Sequence, residues 1–165
     1  MNVIDALYAR RSCRKYTEEP VSNEDLVLLM EAAMAAPSAK NLQPWRFAIV
    51  SEKKTLEKIR EAAPYGKYPC PVIILVIGDK SKSPLFWPTD CAAATENILL
   101  AATERKLGTV WCAVYPDPDR MKGIKEALGY LSEDEEVFSQ ICLGHPVDEP
   151  EPRSQFHPEY IRFIE

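Results

Sequence analysis

Val72-Ile73-Ile74-Leu75-Val76-Ile77 is the segment that most constrains what this chain can fold into. Six consecutive apolar residues, fenced by Pro71 and Gly78-Asp79, have the length and β-branched content of a strand buried on both faces. Such a strand is expected at the centre of a sheet.

The flanking sequence supplies the other elements. Asn2 to Ala9 reads as a short helix, and Ser22-Asn23-Glu24-Asp25 caps a second. In that second helix Leu26, Leu29, Met30 and Ala33 recur at helical spacing, and Pro37 marks its end. Trp45 to Val50 alternates Trp45, Phe47 and Ile49 on one face and reads as a strand; Lys53 to Ala62 is again helical. Pro88-Thr89-Asp90 is expected to open a long helix through Lys106, with Thr89 or Asp90 as cap and Gly108 as stop. Thr109 to Val114 and Val137 to Leu143 bring the strands to about four, with a helix at Pro118 to Leu128 between them. The result is an α+β layered fold, and 165 residues at 46% hydrophobic suit one domain over 1–165.

Two segments point beyond a single chain. The long helix is apolar on nearly every side (Ala92, Ala93, Ala94, Ile98, Leu99, Leu100), which implies burial in a core or a subunit interface. The C-terminal arm, about 154–165, ends in the alternating stretch Tyr160-Ile161-Arg162-Phe163-Ile164 and is expected to dock on a partner's sheet edge.

A net charge of −5 argues against general nucleic-acid binding. The longest apolar run falls far short of the roughly 20 residues of a membrane span, and the N-terminus lacks a secretory apolar core. Five cysteines with no CxxC pair suit free thiols in a reducing compartment, so a cytoplasmic location is expected. His145 and His157 have no partners at metal-ligand spacing, and no metal site is expected.

Against this acidic background, Arg10-Arg11-Ser12-Cys13-Arg14-Lys15 places four cations and a hydroxyl in six residues, a pattern suited to a small anion. No GxGxxG or Walker glycine loop exists to cradle a phosphate, so side chains must hold it. A second segment, Pro37-Ser38-Ala39-Lys40-Asn41-Leu42-Gln43-Pro44-Trp45, carries amides and a hydroxyl where a plain loop would need neither.

These two segments, together with Asn97-Ile98-Leu99-Leu100-Ala101-Ala102, Leu107-Gly108-Thr109-Val110-Trp111, and Gly144-His145-Pro146 with Arg153, resemble the nitroreductase family of flavoproteins, in the family's order and over nearly the whole chain. The resemblance implies a three-layer α-β-α fold, with a central mixed, mostly antiparallel sheet and a C-terminal arm added to the partner's sheet. It also implies a homodimer binding FMN at the interface. Arg10, Arg11, Ser12 and Arg14 would grip the phosphate and ribityl chain, with Arg153 approaching from the C-terminal side. Arg10 and Arg14 can converge if the chain between them turns. Pro37, Ser38, Ala39, Asn41 and Gln43 would line the flavin from the other subunit, and Ala113 and Val114 would present main-chain groups to it. Tyr65 and Lys67 lie where they could approach the cofactor. A second cation just before Arg153, present in some relatives, is replaced here by Glu149-Pro150-Glu151-Pro152, and the short loops imply an open pocket. The implied activity is NAD(P)H-dependent reduction of nitroaromatic, quinone or related acceptors in ping-pong turnover, with no catalytic side chain. A non-catalytic flavin-binding sensor or storage module is the alternative.

Overall fold

In a computed structural model, which describes residues 1–148 and 150–165, nine elements follow one another. They are α1 (Val3–Ala9), α2 (Asn23–Met34), β1 (Trp45–Val50), α3 (Lys53–Ala62), β2 (Val72–Asp79), α4 (Trp87–Glu104), β3 (Gly108–Ala113), α5 (Pro118–Leu128) and β4 (Glu135–Gly144). The strands form one sheet in the order β1-β2-β4-β3, and all three pairings are antiparallel. Among the described residues, parallel pairing is confined to an isolated bridge between Ser12 and Thr109.

β2 divides the interior in two. Side chains alternate across a strand, so Val72, Ile74 and Val76 join one buried cluster with Leu29 of α2 and Ile98 of α4. Ile73, Leu75 and Ile77 join the other, with Ile59 of α3 and Ile124 of α5. The apolar run thus needs helices on both faces, and the three-layer α-β-α architecture follows.

The helix ends show how local chemistry sets the boundaries. Ser22 accepts the Asp25 amide at the start of α2, and Asp117 accepts that of Arg120 at the start of α5. Gly129 closes α5 at φ 71°, a conformation glycine adopts without steric cost. α4 departs from expectation at both ends. It starts at Trp87, its N-cap Phe86 makes no side-chain cap bond, and Asp90 instead bonds outward to a loop. Its exit uses Lys106 in the left-handed region (φ 57°), while Gly108 begins β3. Glycine is needed at 108 for close approach, because a Cβ there would lie 2.7 Å from the Cys13 sulfur.

α4 is covered within the single chain. No residue from Asp90 to Thr103 is fully exposed, since α2, α1 and the sheet surround it. The C-terminal arm is the opposite case: every residue from 150 to 165 is exposed, including Phe163 at 84% and Ile164 at 92%. Its regular structure is a 3-10 turn at Pro158–Tyr160. On β1, Trp45 and Phe47 pack inward, whereas Ile49 is exposed on the edge strand.

Candidate functional site

The basic segment leaves α1 at Arg10 and runs along the free edge of β3, where the Cys13 N–H donates to the Thr109 carbonyl at 2.7 Å. It does not turn back on itself. At strand rise the Arg10 and Arg14 backbones lie roughly 13 Å apart and on the same side of the extended segment, so the two side chains can flank an elongated ligand. Alternation also separates Arg11, which lines a cavity with Cys13 and Gly108, from Arg14, which lines a cavity with Tyr68 and Ala113.

Each of the three arginines in the segment has a partner. The Arg10 Nε lies 3.4 Å from a Glu96 carboxylate oxygen. Burial pushes the Glu96 carboxyl above the usual carboxylate range, and Arg10 draws it back only in part. Arg11 donates to the Glu151 carbonyl at 3.0 Å. The Arg14 Nε donates to the Tyr68 hydroxyl at 3.2 Å, and its guanidinium lies 5.8 Å from the centre of that ring. Arg153 is brought to the same end of the molecule by its own N–H, which donates to the Tyr8 carbonyl at 3.1 Å. Lys15 is exposed.

The cavity beside Arg14 has a volume of about 270 Å³ and is lined by Arg14, Tyr65, Tyr68, Trp111, Cys112, Ala113 and Arg120 among others. The Val114 N–H is directed to the Phe138 carbonyl at 3.4 Å, and Val114 itself is buried. Main-chain groups alternate in direction along a strand, so those of Ala113 face away from β4. Of the two residues read as presenting main chain to a ligand, Ala113 is therefore the one that lines the cavity, whereas Val114 is buried with its N–H turned toward β4.

Cys112 lines this cavity, and the buried Cys70 and Cys142 belong to the core cluster it packs against. Cys142 donates to the Gly66 carbonyl at 3.6 Å. A hydrogen bond with Cys142 lowers the Cys112 thiol from its ordinary range, while Cys142 itself is pushed up to about 12. Burial raises Cys13. All five cysteines are free.

The loop from Pro37 to Gln43 is a separate construction. Lys40, Asn41 and Gln43 have φ of 52°, 55° and 48°, a region that costs a non-glycine residue roughly 1–2 kcal/mol. Local hydrogen bonds hold it there. The Ser38 Oγ accepts the Gln43 N–H at 3.0 Å, the Asn41 Oδ1 accepts the Gln43 side-chain amide at 3.2 Å, and the Asp90 carboxylate accepts the Ala39 N–H at 3.0 Å. Asp90 is 6% exposed. Asn41 and Gln43 project from the surface, and Gln43 lines a cavity of about 440 Å³ with Met30, Met34, Phe47 and Ile49. Among the described residues, no hydrogen bond joins this loop to the arginine segment, and the cavities that Gln43 and Arg14 line have no residue in common.

Sequence reading missed Tyr68, Glu96, Asp90 as a loop anchor, and Arg120. Arg120 donates to the Ala113 carbonyl at 3.1 Å and lies over the Tyr65 ring at 4.8 Å. The Tyr65-Gly66-Lys67-Tyr68 run, aromatic residues in a turn, is the one signal that could have found its neighbourhood. Tyr65 lines the cavity; Lys67 is exposed beside it.

This three-layer α+β chain carries two separate polar segments, one cationic and one rich in amides. It belongs to the nitroreductase family, whose sequence profile matches residues 7–66 and 64–145. A relative from Methanothermobacter thermautotrophicus, provisionally named an NADH dehydrogenase/NAD(P)H nitroreductase, is 43% identical over 98% of this chain and 86% of its own length. A crystal structure from Parabacteroides distasonis under the same provisional name superposes with a TM-score of 0.94 at 35% identity, covering 99% of this chain and 98% of that one. A nitroreductase structure from Desulfovibrio desulfuricans, in complex with FMN and also provisionally named, matches with a TM-score of 0.85 at 29% identity, covering 99% and 96%.

Proposed function

We propose that this chain is an FMN-dependent oxidoreductase that uses NAD(P)H to reduce nitroaromatic, quinone or related electrophilic acceptors, and that it works as a homodimer. The observation that carries the reading is the division of the site into two halves that one chain does not bring together. The cavity beside Arg14, about 270 Å³, is below the range of about 300–1,000 Å³ common for ligand pockets. A second wall completes it if the Pro37 to Gln43 loop of another copy packs against it.

The residues present fit FMN. Two guanidinium groups line the cavity and no carboxylate is among its described lining residues, which suits an anionic, electron-accepting ligand. Arg10, Ser12 and Arg14 would hold the phosphate and ribityl chain, with Arg11 and Arg153 adding positive charge at that end. The outward-facing main chain of Ala113 supplies hydrogen-bonding groups on a rigid strand. Ser38, Asn41 and Gln43 offer a hydroxyl and two amides from a loop whose shape is already fixed. Bound FMN supplies the hydride chemistry, taking two electrons from a nicotinamide and giving them to the acceptor. The protein's part is to bind, orient and leave one slot that donor and acceptor use in turn, which gives ping-pong kinetics.

The exposed arm around Phe156, Tyr160, Phe163 and Ile164 supports the dimer, since an apolar strand-like stretch of this kind gains from a partner's surface. Among the described residues no helix is long and apolar enough to cross a membrane. Five free thiols suit a reducing cytoplasm. Purified protein is expected to be yellow, to take up FMN on titration, and to lose its flavin absorbance on addition of NADH or NADPH. Protein that takes up no FMN would overturn the reading.

A further inference from the structure

Arg120 stands on the first turn of α5, outside every segment that signals a site in the sequence, yet it reaches the end of β3. Its position is fixed from three sides. The Nε lies 3.1 Å from a carboxylate oxygen of Asp117, and Asp117 is itself held as the cap of α5 through the Arg120 N–H at 3.1 Å. The guanidinium lies over the Tyr65 ring at 4.8 Å. From that position Nη1 donates to the Ala113 carbonyl at 3.1 Å.

The contact matters because of where β3 lies. β3 is an edge strand, and the bridge at Ser12 and Thr109 supports its beginning but not its end. At the far end Val114 turns its N–H inward to Phe138, so the Ala113 carbonyl faces the free edge, where the side chain of Arg120 supplies a donor. A charge-assisted hydrogen bond from a guanidinium already gripped by a carboxylate is directional and costs little ordering when a ligand arrives. Arg120 also lines the cavity that Arg14 lines, so its charge adds to that of Arg14 there.

We propose that Arg120 is a positioning residue of the cofactor site: it fixes the Ala113 main chain at the end of β3 and contributes positive charge to the cavity, favouring the more negative, reduced state of the bound ring. The proposal rests on the FMN reading given above. It predicts an effect on the redox equilibrium of the bound cofactor, which a simple tie between α5 and the sheet would not have.

The test uses full-length FMN-loaded protein, wild type and Arg120→Met, equilibrated with a redox dye of known potential. Arg120→Met is expected to shift the ratio of reduced to oxidised flavin about tenfold toward the oxidised form, which for a two-electron couple is about 30 mV. Arg120→Lys keeps the charge and loses the two-pronged grip, and is expected to shift the ratio by a smaller amount, roughly threefold; it also serves if Arg120→Met does not fold. A wild-type ratio in either FMN-loaded variant, whatever its unfolding temperature, overturns the proposal and leaves the FMN reading standing. Wild-type protein that binds no FMN overturns both.

Discussion

The arginine segment and the Pro37 to Gln43 loop are both polar stretches outside regular structure, yet they are stabilised in different ways. Arg10 to Arg14 has little internal support. Its course is set by the bridge to Thr109, and its side chains are parcelled out to Glu96, Glu151 and Tyr68, residues distant in sequence. The loop is mostly self-supporting: Ser38, Asn41 and Gln43 bond to one another, and a single long-range anchor, Asp90, secures it. The arginine segment can therefore adjust by exchanging partners, whereas the loop is held in shape by its own bonds. Rigid presentation of amides lowers the ordering cost of binding, and exchangeable partners let cations be drawn to an anion.

Breaking the cationic half is expected to have the largest effect. Arg14→Ala removes a charge-assisted contact worth roughly 1.5–3 kcal/mol, so FMN affinity measured by fluorescence titration should fall about 10- to 150-fold. Unchanged affinity would remove Arg14 from the site.

Asp90→Ala tests the rigid half. It strips the loop of its anchor and leaves the Ala39 N–H without its buried acceptor, at a cost of about 1–3 kcal/mol in urea unfolding. FMN affinity should fall with it. Asp90→Asn, which keeps an acceptor oxygen, should retain most of both; equal behaviour of the two variants would show that the Ala39 bond is not what holds the loop.

A smaller effect of opposite sign is expected at Glu96. Because Glu96 holds Arg10, Glu96→Gln should tighten FMN binding by a few-fold instead of weakening it. Burial raises the Glu96 carboxyl, so its contribution to stability is present below the unfolded pKa and is lost as pH rises through the higher folded value. In the wild type the affinity gain should accordingly appear as pH falls through the raised pKa of Glu96, and in Glu96→Gln that pH dependence should vanish. Weaker binding in the variant would mean that Glu96 orients Arg10 for the ligand.

The smallest effect is a difference in thiol reactivity between Cys112, which lines the cavity, and the buried Cys91 and Cys142. Cys112 is lowered by its hydrogen bond with Cys142, whereas Cys91 and Cys142 are pushed up to about 12. Iodoacetamide at neutral pH should label Cys112 ahead of those two, as peptide mass spectrometry would read, and bound FMN should slow it. Labelling of Cys112 unaffected by FMN would place the cofactor away from this cavity.

What could be read from the sequence follows the same division. α5 was legible to the residue because Pro118 and Gly129 punctuate it, and β2 because its apolar run admits one burial pattern. The loop's polar residues stood out for the same local reason. Asp90 looked like a helix cap because caps are recognised by adjacency, and its actual bond to Ala39 spans a distance in sequence that no spacing rule covers. Glu96, Tyr68 and Arg120 are ordinary helix or turn residues until the sheet brings β3 beside them. Whether the arginine segment turned or ran straight could not be read from spacing, because its course is set by the Ser12 to Thr109 bridge at the edge of β3.

The central claim, that each chain carries two halves of a site completed only between copies, is tested most directly by mixing two crippled variants. Arg14→Ala lacks one half and an Asn41→Ala, Gln43→Ala double variant lacks the other, so each alone should bind FMN weakly. Unfolding and refolding them together at equal amounts should restore wild-type affinity in about one quarter of the sites, the share that random pairing in a two-fold dimer makes intact. A mixture that binds no better than its two components would contradict the account.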